Sequence, residues 1–275
     1  MVDIYKWLFG ERGKEAMNEM RDDTTSDVLA PFLDQIARTE RPMIGIGIRN
    51  VPPSIRTSSQ IGGLPWWPAV RPYPRDSKGN PLFLLVQINF AETPALEPFP
   101  RSGLLQVFIA ADDLYGCNVD NPDKPDGFAC IYHEKTDGRA LEDFSFLEYE
   151  RGYLPMEEPL IARQLEFELG SMAVDFSDYR FEKLLPGLAV DDALRDAYFA
   201  RVSPPALRLG GYPTFTQTDP RYWPAGANFG DFTLLTVDTT DGIMWGDSGV
   251  AQFFMHEDDL KRRDFSKVVY NWDCC

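Results

Sequence analysis

The chain has 275 residues, enough to bury a sizeable core as one large domain or as two closely packed halves. Its 44% hydrophobic and 13% aromatic content excludes a disordered chain, and its 43 acidic against 27 basic residues, a net charge of −16, disfavour binding to nucleic-acid phosphates. No segment approaches the ~20 apolar residues of a membrane helix, and the N-terminus lacks the features of a signal peptide. We therefore expect a cytoplasmic protein.

The first predicted elements are a helix and a strand. Residues 22–38 predict a helix, which Thr25 or Ser26 can cap and Pro42 can stop. Its apolar side chains recur at helical spacing and form one stripe (Val28, Leu29, Phe32, Leu33 and Ile36). Residues 43–50 alternate between apolar and other side chains, which is typical of a half-buried strand.

Three blocks of sequence then occur twice in the same order. They are a Gly-Gly-x-Pro turn, a strand, and a strand followed by acidic residues (61–65, 81–89 and 103–114, then 209–213, 232–239 and 249–260). The copies are separated by 148, 150 and 146 residues, which differ only by loop-sized amounts. Three collinear blocks predict an internal repeat, with two homologous halves packed about a pseudo-twofold axis.

A second predicted helix, residues 191–202, precedes the second copy. The connection between the copies contains strand-like runs at 128–133 and 164–176. Because strand signals outnumber helices, we predict an α+β fold that is mainly antiparallel β, with duplicated halves and a few peripheral helices. The predicted parts are an N-terminal helical segment, a first β-rich half with its connector, and a second β-rich half, the two halves packed as one globular unit (1–41, 42–190 and 191–275).

Several of these motifs resemble one known family. They are a Ser-Gln-Ile-Gly-Gly-Leu-Pro run, a Leu-Val-Gln-Ile-Asn strand, a Trp-Gly-Asp-Ser-Gly segment and an Asp-Phe-Ser ending (59–65, 85–89, 245–249 and 264–266). Over most of residues 42–275 the chain resembles the YwqG-like family of bacterial domains of unknown function. The resemblance implies a duplicated α+β architecture and brings no established catalytic residues. Thr236 stands where family members tend to have glutamine, so no role for a paired glutamine is carried over.

No metal or cofactor site is predicted. The four cysteines form no Cys-x-x-Cys pair and only His133 and His256 could join them, so free thiols are favoured over zinc. Asp120, Asp123 and Asp126 recur at every third position, whereas calcium loops place ligands at every second. The Gly-Gly-x-Pro turn lacks the residues of a phosphate or dinucleotide loop and predicts a tight turn instead.

Residues 245–249 allow two interpretations. An Asp-Ser pair is found in hydrolases, but the serine would need a base, and neither histidine lies in a suitable context. A turn between two strands explains the same residues. If the loops of the two halves converge on one cleft, Gln87 and Asp247 would be its polar anchors. Loop tryptophans would either cap the edge of the core or form a binding platform there (Trp66, Trp67 and Trp245).

Acidic residues occur in pairs and triplets along the whole chain, as in Glu257, Asp258 and Asp259. They form either a solvated surface or a face that meets a basic partner. The sequence favours a non-catalytic protein-binding role over an enzymatic one, and the expected partner is a basic protein. The most specific version of this protein-binding hypothesis is an immunity-type inhibitor of a basic bacterial toxin. The alternative is a small-molecule-binding protein or hydrolase that uses the cleft between the halves.

Overall fold

The computed structural model describes residues 28–119, 126–188 and 191–275. The predicted start of the first helix lies outside these ranges. Asp120 and Asp123 also lie outside them. The ten described strands, numbered in chain order, are β1 (Arg41–Arg49), β2 (Gln60–Ile61), β3 (Phe83–Asn89), β4 (Leu104–Ile109), β5 (Phe128–His133), β6 (Arg163–Met172), β7 (Leu207–Gly210), β8 (Phe232–Asp238), β9 (Val250–Met255) and β10 (Val269–Asp273). They form one antiparallel sheet in the order β10-β9-β8-β7-β1-β6-β2-β3-β4-β5. The predicted antiparallel β-rich class is therefore confirmed.

The described α-helices are short and lie between or beside the strands. They are α1 (Leu33–Thr39), α2 (Phe181–Leu184), α3 (Asp192–Arg201) and α4 (Glu257–Lys261). The side chain of Asp191 accepts hydrogen bonds from the backbone N–H groups of Ala193 and Leu194, which fixes the start of α3 where the sequence placed it. The 3₁₀ turns are Ala30–Phe32, Pro220–Tyr222, Pro224–Phe229 and Phe265–Lys267.

The first helix differs from its prediction. A 3₁₀ turn with Pro31 in its first positions precedes α1, so the helix proper is short. Leu29 and Ile36 are buried as expected, whereas Val28 and Leu33 are largely exposed. The apolar stripe is therefore narrower than the periodicity indicated. The 3₁₀ turn accounts for Val28, which precedes it, because the turn takes that side chain out of the helical register.

Two long central strands organise the sheet. β1 and β6 pair over nine residues, from Arg41 opposite Met172 to Arg49 opposite Gln164. On its other side β1 pairs with β7, which lies in the predicted second half, whereas β6 pairs with β2, which like β6 lies in the predicted first half. The β1–β7 pair therefore joins the two predicted halves in one sheet.

The two flanking hairpins have the same irregularity. In the β3–β4 pair the register shifts between Leu84 and Val86, and in the β8–β9 pair it shifts between Thr233 and Leu235. Such a bulge leaves one residue unpaired and increases the local twist. The two bulges lie 149 residues apart in the sequence (Val86 to Leu235), one residue less than the separation of 150 predicted for this pair of strands.

One large core joins the hairpins. All six residues of β4 and of β9 are buried, as expected for strands covered on both faces. At the ends of the sheet, the rings of Phe128 in β5 and Tyr270 in β10 lie 5.3 Å apart, so the sheet curves until it is nearly closed. None of the described helices is long and apolar enough to span a bilayer.

Candidate functional site

Gln87 is a structural anchor between the β3–β4 hairpin and the loop before it. Its side-chain Oε1 accepts hydrogen bonds from the Trp66 N–H at 3.0 Å and from Gln106 Nε2 at 2.7 Å. Its Nε2 donates to the carbonyls of Arg56 and Ser58 at 2.9 and 2.8 Å. With no exposed area and its polar atoms satisfied inside the fold, Gln87 does not offer a surface contact to a ligand.

A corresponding network fastens the second Gly-Gly-x-Pro turn. Gln252 Nε2 donates to the Thr214 carbonyl at 2.6 Å, and Gln252 Oε1 accepts from the Thr236 hydroxyl at 2.7 Å. Arg208 is fully buried and its guanidinium donates to the Tyr212 carbonyl at 3.0 Å. Burial lowers the pKa of Arg208 to about 10, so it is charged at neutral pH. No pattern in the sequence indicated a buried arginine at this position.

The three tryptophans proposed as a binding platform lie in the core. Trp66, Trp67 and Trp245 are at most 5% exposed. The first two contact the His133 ring edge-on at 5.3 and 5.4 Å, and Trp245 contacts Tyr115 at 5.5 Å. A platform made of these rings would require the core to open, at a cost of several kcal/mol for each ring.

The segment 245–249 folds as a tight turn. The Gly249 N–H donates to the Trp245 carbonyl at 2.7 Å, and Ser248 takes a left-handed φ of 63°. Asp247 is exposed on this turn. His133 is bonded to Gln106 at 3.0 Å and His256 lies 3.9 Å from Asp231, so each histidine has a partner other than Ser248. The geometry agrees with a structural turn.

The acidic triplet 257–259 forms the first turn of α4 and is neutralised locally. Lys261 Nζ lies 2.7 Å from Glu257 and 3.6 Å from Asp258. Arg262 lies 2.6 Å from Asp259. Because these pairs follow the i,i+3 and i,i+4 spacing of one helix, the triplet carries less net charge than its sequence indicates.

A groove lies where the connector before β6 meets the turn after β8. It consists of one cavity of about 250 Å³ and another of about 190 Å³. Asn50, Arg163 and Asp241 line both cavities, so the two adjoin. The groove therefore lies beside the central strands, where residues from both predicted halves meet.

Carboxylates dominate the smaller cavity. Glu157, Glu158 and Asp241 line it together with one base, Arg163, while Ile61 adds an apolar side chain. Glu157, Glu158 and Asp241 are all exposed. We call the two cavities together the acidic groove.

Arg163 stands between the two cavities. Its Nη1 donates to the backbone carbonyl of Asp241 at 2.7 Å. Gly242, with φ of 72°, makes this contact possible, because a Cβ there would lie 2.8 Å from the guanidinium nitrogen. The guanidinium has further donors that can face the groove.

The segment of the connector that lines the smaller cavity forms one wall of the groove, and backbone hydrogen bonds hold this wall on two sides. The Met244 N–H donates to the Pro155 carbonyl, and the Gly63 N–H donates to the Pro159 carbonyl, both at 2.7 Å. A Cβ at Gly63 would lie 2.4 Å from the Cβ of Ala162, so the first Gly-Gly-x-Pro turn needs glycine in order to support this wall. The predicted motif thus contributes to the site by shaping it and not by binding.

Apolar side chains accompany the acids at the groove. Ile161, which lines the smaller cavity, is 54% exposed, and Met244, which follows the turn at Gly242, is 50% exposed. Exposed apolar groups beside charges are common at protein contact surfaces. Neither Gln87 nor Asp247, the anchors proposed from the sequence, is among the residues that line the groove.

A buried ionic cluster was also missed from the sequence. Asp178 is bonded to Arg180 at 2.7 Å and to Arg221 at 2.9 Å, and Asp219 is bonded to Arg221 at 2.6 Å. Burial works against ionisation of Asp178, but these two arginines hold its pKa below the usual range. Arg221 also lies over the Phe254 ring at 5.0 Å, so the cluster fastens the connector to the second hairpin.

Comparison with known proteins gives one match. A family model described as a domain of unknown function (DUF1963) matches residues 59–274. No curated protein matches the chain. The match covers both flanking hairpins and the part of the acidic groove that residues after 59 line.

Proposed function

The chain belongs to the DUF1963 family, and we propose that it is a non-catalytic protein-binding domain whose acidic groove takes a basic segment of a partner. The observation that carries the proposal is the composition of the groove, in which three carboxylates face one arginine beside half-exposed apolar side chains. A lysine or arginine of a partner would lay its aliphatic part on Ile161 and its charge near Glu157 and Glu158.

The rigidity of the groove supports this role. Both sides of the connector are fixed by backbone hydrogen bonds, at Pro155 and Pro159. A preformed site loses little conformational entropy when a partner binds. The net charge of −16 would also attract a basic partner over a distance and raise its association rate.

Three narrower proposals rest on the sequence alone. We propose a YwqG-like relationship within the family, a cytoplasmic location, and an immunity-type role in which a basic toxin is the partner. In that role the groove would hold a basic side chain of the toxin and cover the surface around it.

We also propose that the two halves are structural repeats. Gln106 bonds to the Trp66 carbonyl and Gln252 to the Thr214 carbonyl, both at 2.6 Å, and the carbonyls are 148 residues apart in the sequence. The bulge that both flanking hairpins share supports the same arrangement. A groove at the boundary of two repeats is a common place for a binding site.

Capture from the native cell tests the function. Tagged protein is compared with two double variants that each remove two charges, Glu157→Gln/Glu158→Gln in the groove and Glu257→Gln/Asp258→Asn on α4. We expect a basic protein to be retained at low salt by the wild type and the α4 variant, and largely lost by the groove variant. Equal retention by both variants, or no basic partner, would contradict the proposal.

A second candidate function comes from the larger cavity. Its volume of about 250 Å³ and its mixed lining, with Ile48, Thr240 and Glu166 beside Arg163, suit a small polar molecule. A metabolite screen by thermal shift tests it. Stabilisation that disappears in Arg163→Met while the unliganded melting temperature is kept would favour this candidate.

A further inference from the structure

One edge of the central strand β6 is left without a strand partner. β6 runs from Arg163 to Met172 and pairs with β1 along its length. On its other side it pairs with β2 only at Arg163 and Gln164. Beyond Gln164, the side of β6 that faces away from β1 has no partner strand among the described residues.

The backbone groups of this edge can be assigned from the ladder. In an antiparallel strand, successive residues direct their N–H and C=O groups to opposite neighbours. Leu165 donates outward, to the Ser59 carbonyl at 3.1 Å. Phe167, Leu169 and Ser171 therefore also point outward, and we call their backbone groups the open edge.

A side chain ends the pairing at β2. The Ser59 N–H, which would continue the ladder, donates instead to the Glu92 carboxylate at 2.8 Å. Among the described residues, no group on the side away from β1 donates to the backbone C=O or accepts from the backbone N–H of Phe167, Leu169 or Ser171. The side chain of Leu169 is 51% exposed, so solvent reaches this part of the strand.

We propose that the open edge is a strand-addition site for an extended partner segment in which basic and apolar residues alternate. Unpaired strand edges accept extended peptides through main-chain hydrogen bonds, and the alternating side chains give the specificity. Here Glu166 and Glu168 lie on one face of β6, while Phe167 and Leu169 lie on the other. An added strand would place its basic side chains on the first face and its apolar ones on the second.

Two observations favour a basic occupant over a second copy of this chain. The Oε2 atom of Glu168 is buried without a hydrogen-bond donor among the described residues, and the nearest ion pair of Glu166, with Arg49, is 3.8 Å long. A second β6 would bring more glutamates to the same face and be repelled. The backbone groups of the open edge line neither cavity of the acidic groove, so the proposal does not require the groove, although Glu166 also lines its larger cavity.

Amide hydrogen exchange, followed by NMR, tests the edge in the intact protein. The N–H groups of 167, 169 and 171 should exchange about tenfold or more faster than those of 166, 168 and 170, which face β1. A ten-residue peptide of alternating lysine and valine should slow exchange at the three outward positions, whereas alternating glutamate and valine should not. If the outward amides are protected in the free protein, or if the lysine peptide leaves them unchanged, the proposal is wrong.

Proline substitution gives a matched pair of variants. Leu169→Pro removes an outward N–H and should keep the melting temperature close to that of the wild type while peptide protection is lost. Glu168→Pro removes an N–H that bonds to β1 and should destabilise the fold. Equal destabilisation by both variants would contradict the assigned edge, and concentration-dependent dimerisation of the wild type would contradict the chosen occupant.

Discussion

The side-chain amide of Gln106 donates a hydrogen bond to the backbone carbonyl of Trp66 at 2.6 Å, inside the core. The same amide also donates to Gln87, so it joins the hairpin to the preceding loop. We expect Gln106→Ala to lower the free energy of unfolding by about 1–3 kcal/mol, because it leaves a buried carbonyl without a donor. Urea unfolding at neutral pH measures the loss.

Two further variants control this measurement. Gln252→Ala removes the corresponding bond to Thr214 and should cost a similar amount. Gln35→Ala changes an exposed glutamine of α1 and should stay within about 0.5 kcal/mol of the wild type. A Gln106→Ala protein as stable as the Gln35→Ala protein would show that the network contributes little.

Trp67 should act through stability and not through a partner. Its ring is 1% exposed, and its Nε1 donates to the Arg71 carbonyl at 2.9 Å. We expect Trp67→Ala to cost about 3–5 kcal/mol in unfolding free energy. Trp67→Phe, which keeps an aromatic ring, should cost less. If Trp67→Ala keeps the wild-type stability and instead raises the dissociation rate of a partner, the ring belongs to a contact surface.

The environment of His133 predicts that the folded protein loses stability in mild acid. Burial, with the nearby charge of Arg71, lowers the pKa of His133 from 6.5 to about 4. Between these values the unfolded chain binds a proton that the folded chain does not, so stability falls as the pH falls from 6.5 to about 4. The free energy of unfolding, measured across this range, should decrease less steeply in His133→Gln. An unchanged slope in that variant, with His256→Gln as the control, would exclude His133 as the cause.

The cysteines should differ sharply in reactivity. Cys117 is buried, and this burial raises the pKa of its thiol to about 11. Cys275 is exposed. Because the thiolate is the reactive form, a disulfide reagent should label Cys275 first and Cys117 only after unfolding. The fast phase should disappear in Cys275→Ser. Rapid labelling of Cys117 in the native protein would show that its environment opens readily.

The strands were predictable because their signals are local. The alternation in β1 and the apolar runs of β3, β4, β8 and β9 reflect burial, which the residue types report directly. The glycine turns were predictable for the same reason, since positive φ at Gly62 and Gly210 demands that residue type. The predicted domain boundaries stay a prediction.

The site was not predictable because it depends on contacts between distant segments. Glu157 and Asp241 meet only because the connector pairs with the turn after β8, at Met156 and Ile243. Nothing in the residue types distinguishes these two acids from others that are solvated or paired, such as Glu257. Burial of the tryptophans was equally hidden, because aromatic residues in Pro-rich loops suit both a core and a surface.

The last prediction concerns how a basic partner associates with the acidic groove. The partner is the protein that the wild type captures and the groove variant loses. Its association rate should fall as salt rises, because exposed charges are screened over ~10 Å at 0.1 M ionic strength. Surface plasmon resonance or stopped-flow mixing at several salt concentrations measures this rate.

Charge reversal locates the attraction. Glu157→Lys should slow association more than Glu257→Lys does, because Lys261 already neutralises Glu257 at 2.7 Å, whereas no ion pair to Glu157 occurs among the described residues. Both variants change the net charge equally, so a difference between them reflects position and not the overall field. Dissociation rates should change less than association rates if Glu157 lies at the rim of the contact. Equal slowing by the two variants would mean that only net charge attracts the partner, and the groove would then have no special part in recognition.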